Sequence, residues 1–276
     1  MTAVFNDLRE GVFASISDRT VTAVLTAEGF GVLTPMPDAL AICDELDIEV
    51  THALPEGSAL VPGSEILRFR GRPESIARAE ERLIGVLAKP SGIAGATRAF
   101  VDRAAGRIRI VSGAWKKLPM AHKHMLRGAI TAGGGEIRIA DNPFVYLDKN
   151  FAAMLGGPVQ TLDAVAHLPE HRKVIQLVES GAALAESACR AVEAGADTVF
   201  VDTGRRADAV TVSTALREKG LRSRVEIAFA GGVTLTDIDA LVHLDIDVVD
   251  IGRAIVDAPL VDMSIDVLEI TTDGQQ

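Results

Sequence analysis

From residue 107 onward, short and nearly continuous apolar runs alternate with amphipathic stretches. The runs occupy residues 108–111, 144–147, 174–178, 198–201, 225–229 and 248–251. Apolar runs without a polar face predict strands buried on both sides, as in a parallel sheet. Between them, residues 181–194, 207–219 and 236–244 read as helices. No GxGxxG fingerprint opens the series, so the alternation predicts an α/β barrel in preference to an open doubly wound sheet.

The first hundred residues have a different rhythm. Strands are predicted at 20–26 and 65–70, with a helix at 37–46 between them and turn signals at Pro55-Glu56-Gly57 and Pro62-Gly63. Ile76, Ala79, Leu83, Ile84 and Leu87 repeat at helical spacing over 73–87. Lys89-Pro90 is expected to end that helix and Ser91 to cap a new one reaching about residue 105. These readings divide the chain into a small mixed α/β domain over 1–105, a barrel over 106–270 and a polar, flexible tail at 271–276.

Length and charge narrow the function. A chain of 276 residues, 48% apolar, can bury a large core. Asp and Glu outnumber Lys and Arg by 38 to 28, for a formal net charge of −10. Such a surface repels nucleic acid. No apolar run is long enough to span a membrane, and the start lacks a basic segment followed by an apolar one, so a cytoplasmic protein without membrane contact is expected. Cys43 and Cys189 show no CxxC spacing and read as buried free thiols. The six histidines form no HExxH or paired Cys/His motif, which argues against zinc, and no GxSxG elbow is present.

Against this acidic background, Lys116, Lys117, Lys123, Arg127, Arg138 and Lys149 surround Gly133-Gly134-Gly135. The cluster is expected to hold a small, multiply charged anion. Asp202 follows an apolar run, where barrel strands deliver catalytic groups, and is a candidate ligand for a metal or sugar hydroxyl. Gly231, Gly232 and Gly252 follow the last two runs, where bare backbone N–H groups approach phosphate closely.

The stretch Ser91-Gly92-Ile93-Ala94-Gly95-Ala96-Thr97-Arg98 carries a more specific signal. With Trp115-Lys116-Lys117, Gly133-Gly134-Gly135, Leu147-Asp148-Lys149-Asn150, Gly195-Ala196-Asp197, Val201-Asp202, Gly231-Gly232 and Ile251-Gly252, it resembles the quinolinate phosphoribosyltransferase family along nearly the whole chain. The resemblance implies an N-terminal α/β sandwich domain joined to an open, TIM-like α/β barrel. It further implies a homodimer or larger homo-oligomer with active sites shared between subunits. The implied reaction joins a pyridine dicarboxylate to phosphoribosyl pyrophosphate with Mg2+, losing carbon dioxide.

Residue by residue, the resemblance assigns Lys149 and Lys117 to the phosphoribosyl donor, Asp202 to its ribose and Mg2+, and Gly231, Gly232 and Gly252 to its phosphate. Lys116, Lys123, Arg127 and Arg138 are assigned to the acidic acceptor, with Arg82 reaching in from the neighbouring subunit. This chain departs from the family pattern where Lys116-Lys117 replaces Arg-Lys, and Lys cannot reproduce the two-pronged grip of Arg on a carboxylate. Ala228 stands where the family has a glutamate, and the expected Glu-x-Glu is absent in register near Gln176 and Glu179; Glu226, on the same strand face, is a candidate substitute. The expectation is phosphoribosyl transfer to a small acidic acceptor. An isomerase, lyase or decarboxylase on another phosphorylated acid, or a non-catalytic anion binder, are the alternatives.

Overall fold

The computed structural model describes residues 7–141 and 143–272. Its contacts form two compact units: residues up to Ala96, 124–133 and from Ala258 make one, while Thr97–Lys123 and Gly134–Asp257 make the other. This division differs from a cut at residue 105, because a C-terminal strand, Met263–Thr272, pairs with the N-terminal part of the chain. Of the tail expected at 271–276, positions 271 and 272 belong to that strand and the rest lie outside the described residues.

The first unit runs through α1 (Leu8–Val12), β1 (Arg19–Ala27), β2 (Gly31–Val32), α2 (Met36–Glu45), β3 (Glu49–Ala53), β4 (Ala59–Leu60), β5 (Glu65–Gly71) and the start of α3 (Pro73–Ala104). Its main sheet is antiparallel, in the order C-terminal strand, β1, β5, β3. Along β1 the alternate residues Val21, Ala23, Leu25 and Ala27 are buried, in one core with Ala39 and Cys43 of α2 and Ile76, Ala79, Leu83 and Leu87 of α3. This is the two-layer sandwich of sheet and helices that period-2 and period-3.6 patterns build when their apolar faces meet. Burial also pushes the Cys43 thiol up to about 11, consistent with an inert packing role.

Helix α3 corrects one expectation. It continues through Pro90 for 32 residues, where a break was expected. Ser91 is not an N-cap: its hydroxyl accepts from the Thr34 N–H at 3.2 Å and donates to the Thr34 carbonyl at 3.1 Å. A Cβ on Gly95 would lie 2.7 Å from the Gly31 Cα, and one on Gly92 would strike the Pro259 carbonyl. The glycines of the 91–98 motif therefore let neighbouring backbone lie against the helix, and tertiary contacts offset the local cost of Pro90.

The second unit contains β6 (Arg109–Val111), the start of α4 (Met120–Ala132), β7 (Phe144–Leu147), α5 (Lys149–Leu155), α6 (Pro158–Ala164), β8 (Arg172–Leu177) and α7 (Gly181–Glu193). It continues with β9 (Thr198–Asp202), α8 (Arg206–Glu218), β10 (Glu226–Ala230), α9 (Ile238–Leu241), β11 (Val248–Asp250) and α10 (Arg253–Val256). The six strands are parallel in the order β6, β11, β10, β9, β8, β7. The two edge strands, β6 and β7, are consecutive in the chain, so the sheet is an open barrel.

Because strand side chains alternate, the inward positions stack in layers. Val111, Val174, Phe200, Ala228 and Val248 form an apolar middle layer, with Phe144 and Tyr146 packed against it. Two residues toward the strand starts, Glu226 accepts from Arg109 at 3.2 Å, from Arg172 at 2.9 Å and from the Thr198 hydroxyl at 3.5 Å, while Arg109 also reaches Glu136 at 2.8 Å. Two residues toward the strand ends, the same count gives Gly113, Gln176, Asp202, Ala230 and Asp250. Glu226, expected as a candidate substitute carboxylate, is instead committed to an ionic network at the barrel base, separated by the apolar layer from the strand ends.

At the strand ends, the loops after β9 and β10 touch through bare backbone. The Gly204 N–H donates to the Ala230 carbonyl at 2.9 Å. A Cβ on Gly204 would sit 2.5 Å from the Gly231 carbonyl oxygen, and one on Gly231, whose φ is +116°, would strike the Gly204 backbone.

Two outcomes are expected from these contacts. Glu226→Ala leaves Arg109 and Arg172 without their shared acceptor and is expected to lower stability by about 1–3 kcal/mol, read from urea unfolding midpoints; an unchanged midpoint would show that the network contributes nothing. Gly231→Ala is expected to cost about 2 kcal/mol or more by the same measurement, since clash and an unfavourable backbone angle combine.

Candidate active site at the strand ends

The polar upper layer opens into a cavity of about 580 Å³ in the second unit. Strand ends are where parallel barrels gather functional groups, because the loops there are free to vary over a rigid frame. Each strand contributes. β6 leads into a turn that presents Gly113, Lys116 and Lys117; β7 supplies Tyr146, β8 Gln176 and β9 Phe200 and Asp202. β10 continues into Gly231, Gly232 and Thr234, and β11 supplies Asp250 before Gly252, Arg253 and Asp257.

The polar groups hold one another in place. Gln176 donates from Nε2 to Asp202 Oδ2 at 2.7 Å, and its Oε1 accepts the Lys149 backbone N–H at 3.0 Å. Asp250 Oδ1 accepts the Gly113 N–H at 3.0 Å. Lys116 Nζ lies 5.2 Å from the centre of the Tyr146 ring, a cation–π contact, and Tyr146 packs on Phe200 with ring centres 6.0 Å apart. Burial raises the Asp250 carboxyl above its usual range, against the Gly113 hydrogen bond and the charge of Lys116 that pull it down. The Tyr146 hydroxyl is raised by burial and by Asp202, Asp250 and Asp148, so it stays protonated and able to donate.

Of the residues singled out in the sequence, Lys116, Lys117, Asp202, Gly231, Gly232 and Gly252 line this one cavity. The others stand elsewhere. Lys149 begins α5 with an exposed side chain and presents only its backbone to Gln176. Lys123 lies 5.9 Å from the Trp115 ring, whose Nε1 donates to the Ile137 carbonyl at 3.0 Å; the tryptophan is anchored outside the cavity lining. Arg138 is exposed between α4 and β7. Arg127 and Arg82 fall in the first unit, where Arg82 pairs with Glu45. Glu179 accepts its own neighbour's N–H, that of Val178, and the Ser187 hydroxyl.

The cavity is therefore not the cationic bowl that the basic cluster suggested. Its lining carries Lys116, Lys117 and Arg253 against Asp202, Asp250 and Asp257, and Arg253 is held by Asp257 at 2.9 Å. Tyr146, Asp250 and Arg253 were missed by motif reading, while Gln176 had been singled out only for its place near the expected Glu-x-Glu. The signal for Tyr146 and Asp250 was present: each lies two residues beyond an inward apolar position on its strand.

Known proteins place this geometry. The sequence profile described as "Quinolinate phosphoribosyl transferase, C-terminal domain" matches residues 93–266, and the one described as "Quinolinate phosphoribosyl transferase, N-terminal domain" matches residues 6–91. A probable carboxylating nicotinate-nucleotide pyrophosphorylase of Archaeoglobus fulgidus is 28% identical over 262 residues, covering 94% of this chain and 99% of that protein. The human nicotinate-nucleotide pyrophosphorylase is 29% identical over 245 residues, covering 88% of this chain and 81% of its own. In fold, the nicotinate-nucleotide pyrophosphorylase of Pyrococcus furiosus superposes with a TM-score of 0.81 at 23% identity, covering 95% of this chain and 72% of that one. The Francisella tularensis structure gives 0.80 at 18% identity, with 97% and 92% covered. With both domain profiles matched in order, and with its glycines, lysines and Asp202 gathered at the strand ends of an open barrel, the chain belongs to the quinolinate phosphoribosyltransferase family.

Proposed function

We propose that this protein transfers the phosphoribosyl group of phosphoribosyl pyrophosphate to the ring nitrogen of a small aromatic carboxylic acid. The observation that carries this reading is the gathering of Lys116, Lys117, Asp202, Gly231, Gly232 and Gly252 around one cavity in a chain that matches both family domains. In the transfer, a bond forms between the ring nitrogen and C1′ of the ribose as the C1′–oxygen bond to pyrophosphate breaks, and pyrophosphate leaves with that electron pair. Charge develops on the leaving group, so fixed positive charge beside it lowers the barrier.

The glycines after β10 and β11 leave backbone N–H groups accessible to the 5′-phosphate. Lys117 opposes the pyrophosphate, and Asp202, oriented by Gln176 at 2.7 Å, faces the ribose hydroxyls. Among the described residues no group of three or more His, Cys, Asp or Glu is arranged to hold a metal. That suits Mg2+, which rests on one or two carboxylates while substrate phosphates and water complete its shell. Asp202 is the residue that would hold it, and the ion would neutralise charge on the departing pyrophosphate. Lys116, over the Tyr146 ring, holds the acceptor's carboxylate. No helix among the described residues is long and apolar enough to cross a membrane, and the two cysteines are free and buried. Both facts support a cytoplasmic setting for the proposed enzyme, working as a homodimer or larger homo-oligomer in the manner its family resemblance implies.

Isothermal titration of the protein with phosphoribosyl pyrophosphate and Mg2+ tests the reading. Wild type is expected to bind the donor, Lys117→Met to weaken it on the order of tenfold or more, and Asp202→Asn to diminish the gain in affinity that Mg2+ provides. Absence of binding at millimolar donor would remove the transferase reading.

A further inference from the structure

Lys116 and Lys117 stand on a piece of chain that is weakly built by itself. Residues Ala114–Lys117 make a single 3-10 turn between β6 and α4, and both lysine side chains are exposed. The backbone bonds that join this turn to its flanks, from the Lys116 N–H to the Gly113 carbonyl and from the Leu118 N–H to the Trp115 carbonyl, are long at 3.3 Å. A lone turn of this type has poor hydrogen-bond geometry and no neighbouring turn to support it.

Side chains supply what the backbone lacks, and they do so from both sides of β6. Val111 pairs with Asp250 of β11 on one side and with Glu136 in an isolated parallel bridge on the other. The backbone ladder reaches Ser112, whose N–H donates to the Glu136 carbonyl at 2.9 Å. At the next residue the Gly113 N–H donates to Asp250 Oδ1 at 3.0 Å. On the opposite side the Trp115 indole Nε1 donates to the Ile137 carbonyl at 3.0 Å. That receiving segment is itself fixed, since Glu136 accepts from Arg109 at 2.8 Å. The turn is therefore tied to both neighbours of its strand, immediately before the lysines.

Asp250 needs such a role. A carboxylate in the lining of an anion site is unfavourable on charge alone. Holding the Gly113 N–H is the compensating interaction that the geometry shows.

We infer that Asp250 and Trp115 are positioning residues, which clamp the turn Gly113–Lys117 from two sides and so hold Lys117 toward the pyrophosphate of the donor. This rests on the phosphoribosyl-transfer reading and adds to it how the lysine is preorganised. Neither residue has to touch the substrate for this role.

Isothermal titration of the full-length protein with phosphoribosyl pyrophosphate and Mg2+ tests the clamp. Asp250→Ala removes the charge and the acceptor together, and is expected to weaken donor binding about tenfold, the scale of a hydrogen bond to a charged group. Asp250→Asn removes the charge but keeps an oxygen for the Gly113 N–H, and is expected to bind within about threefold of wild type or more tightly. Trp115→Phe keeps a ring and loses the Nε1 bond, for an expected weakening of about threefold or more. In a Lys117→Met background, Asp250→Ala and Trp115→Phe are each expected to change donor binding by less than about twofold, because both act through that lysine. Binding by Asp250→Ala as tight as wild type, equal weakening by both Asp250 variants, or undiminished effects in the Lys117→Met background overturns the inference. Should Asp250→Ala fail to fold, Asp250→Asn and Trp115→Phe carry the same comparison. A second arm needs no donor: amide deuterium exchange over residues 113–118 is expected to be at least about tenfold faster in Trp115→Phe than in wild type. Unchanged exchange overturns the clamp even where the donor binds, whereas failure of wild type to bind the donor counts against transfer itself.

Discussion

Everything at the strand ends depends on one constraint: in a strand, every second side chain faces the same way. Six parallel strands apply it together, so a step of two residues along each strand moves from an ionic base to an apolar waist and then to a polar mouth. The waist of Val111, Val174, Phe200, Ala228 and Val248 separates the Arg109–Glu226–Arg172 network from Asp202 and Asp250. Ala228 belongs to this logic. A small apolar residue there keeps the waist apolar through β10.

The strands and their order were legible because buried parallel strands are the least ambiguous apolar runs a sequence contains. Residues 144–147 were read to the residue, and the others within two. The small unit was harder. β3, whose residues are mostly exposed, offers no apolar alternation, and the C-terminal strand pairs with β1 across the full length of the chain, which no local pattern announces. Pro90 misled for a related reason: its local penalty is real, but the close backbone of Gly31 and Pro259 holds α3 together through it.

The site was legible in part. Asp202, Gly231, Gly232 and Gly252 were found because each follows an apolar run and so stands at a strand end. Fewer of the basic residues line the cavity than their closeness along the chain suggested, because helices intervene: Lys123 and Arg127 lie on α4, and Lys149 begins α5 with an exposed side chain. The charged residues that do share the cavity include Asp250 and Arg253, which no basic cluster would reveal. Their presence changes the lining from strongly positive to one in which cations and carboxylates balance.

The pairing of the last strand with β1 has a consequence for how the molecule comes into being. Thr271 and Thr20, joined by a hydrogen bond, are 251 positions apart. During synthesis the six parallel strands, all before residue 251, are made ahead of Met263–Thr272, so β1 gains this neighbour only after the barrel strands exist.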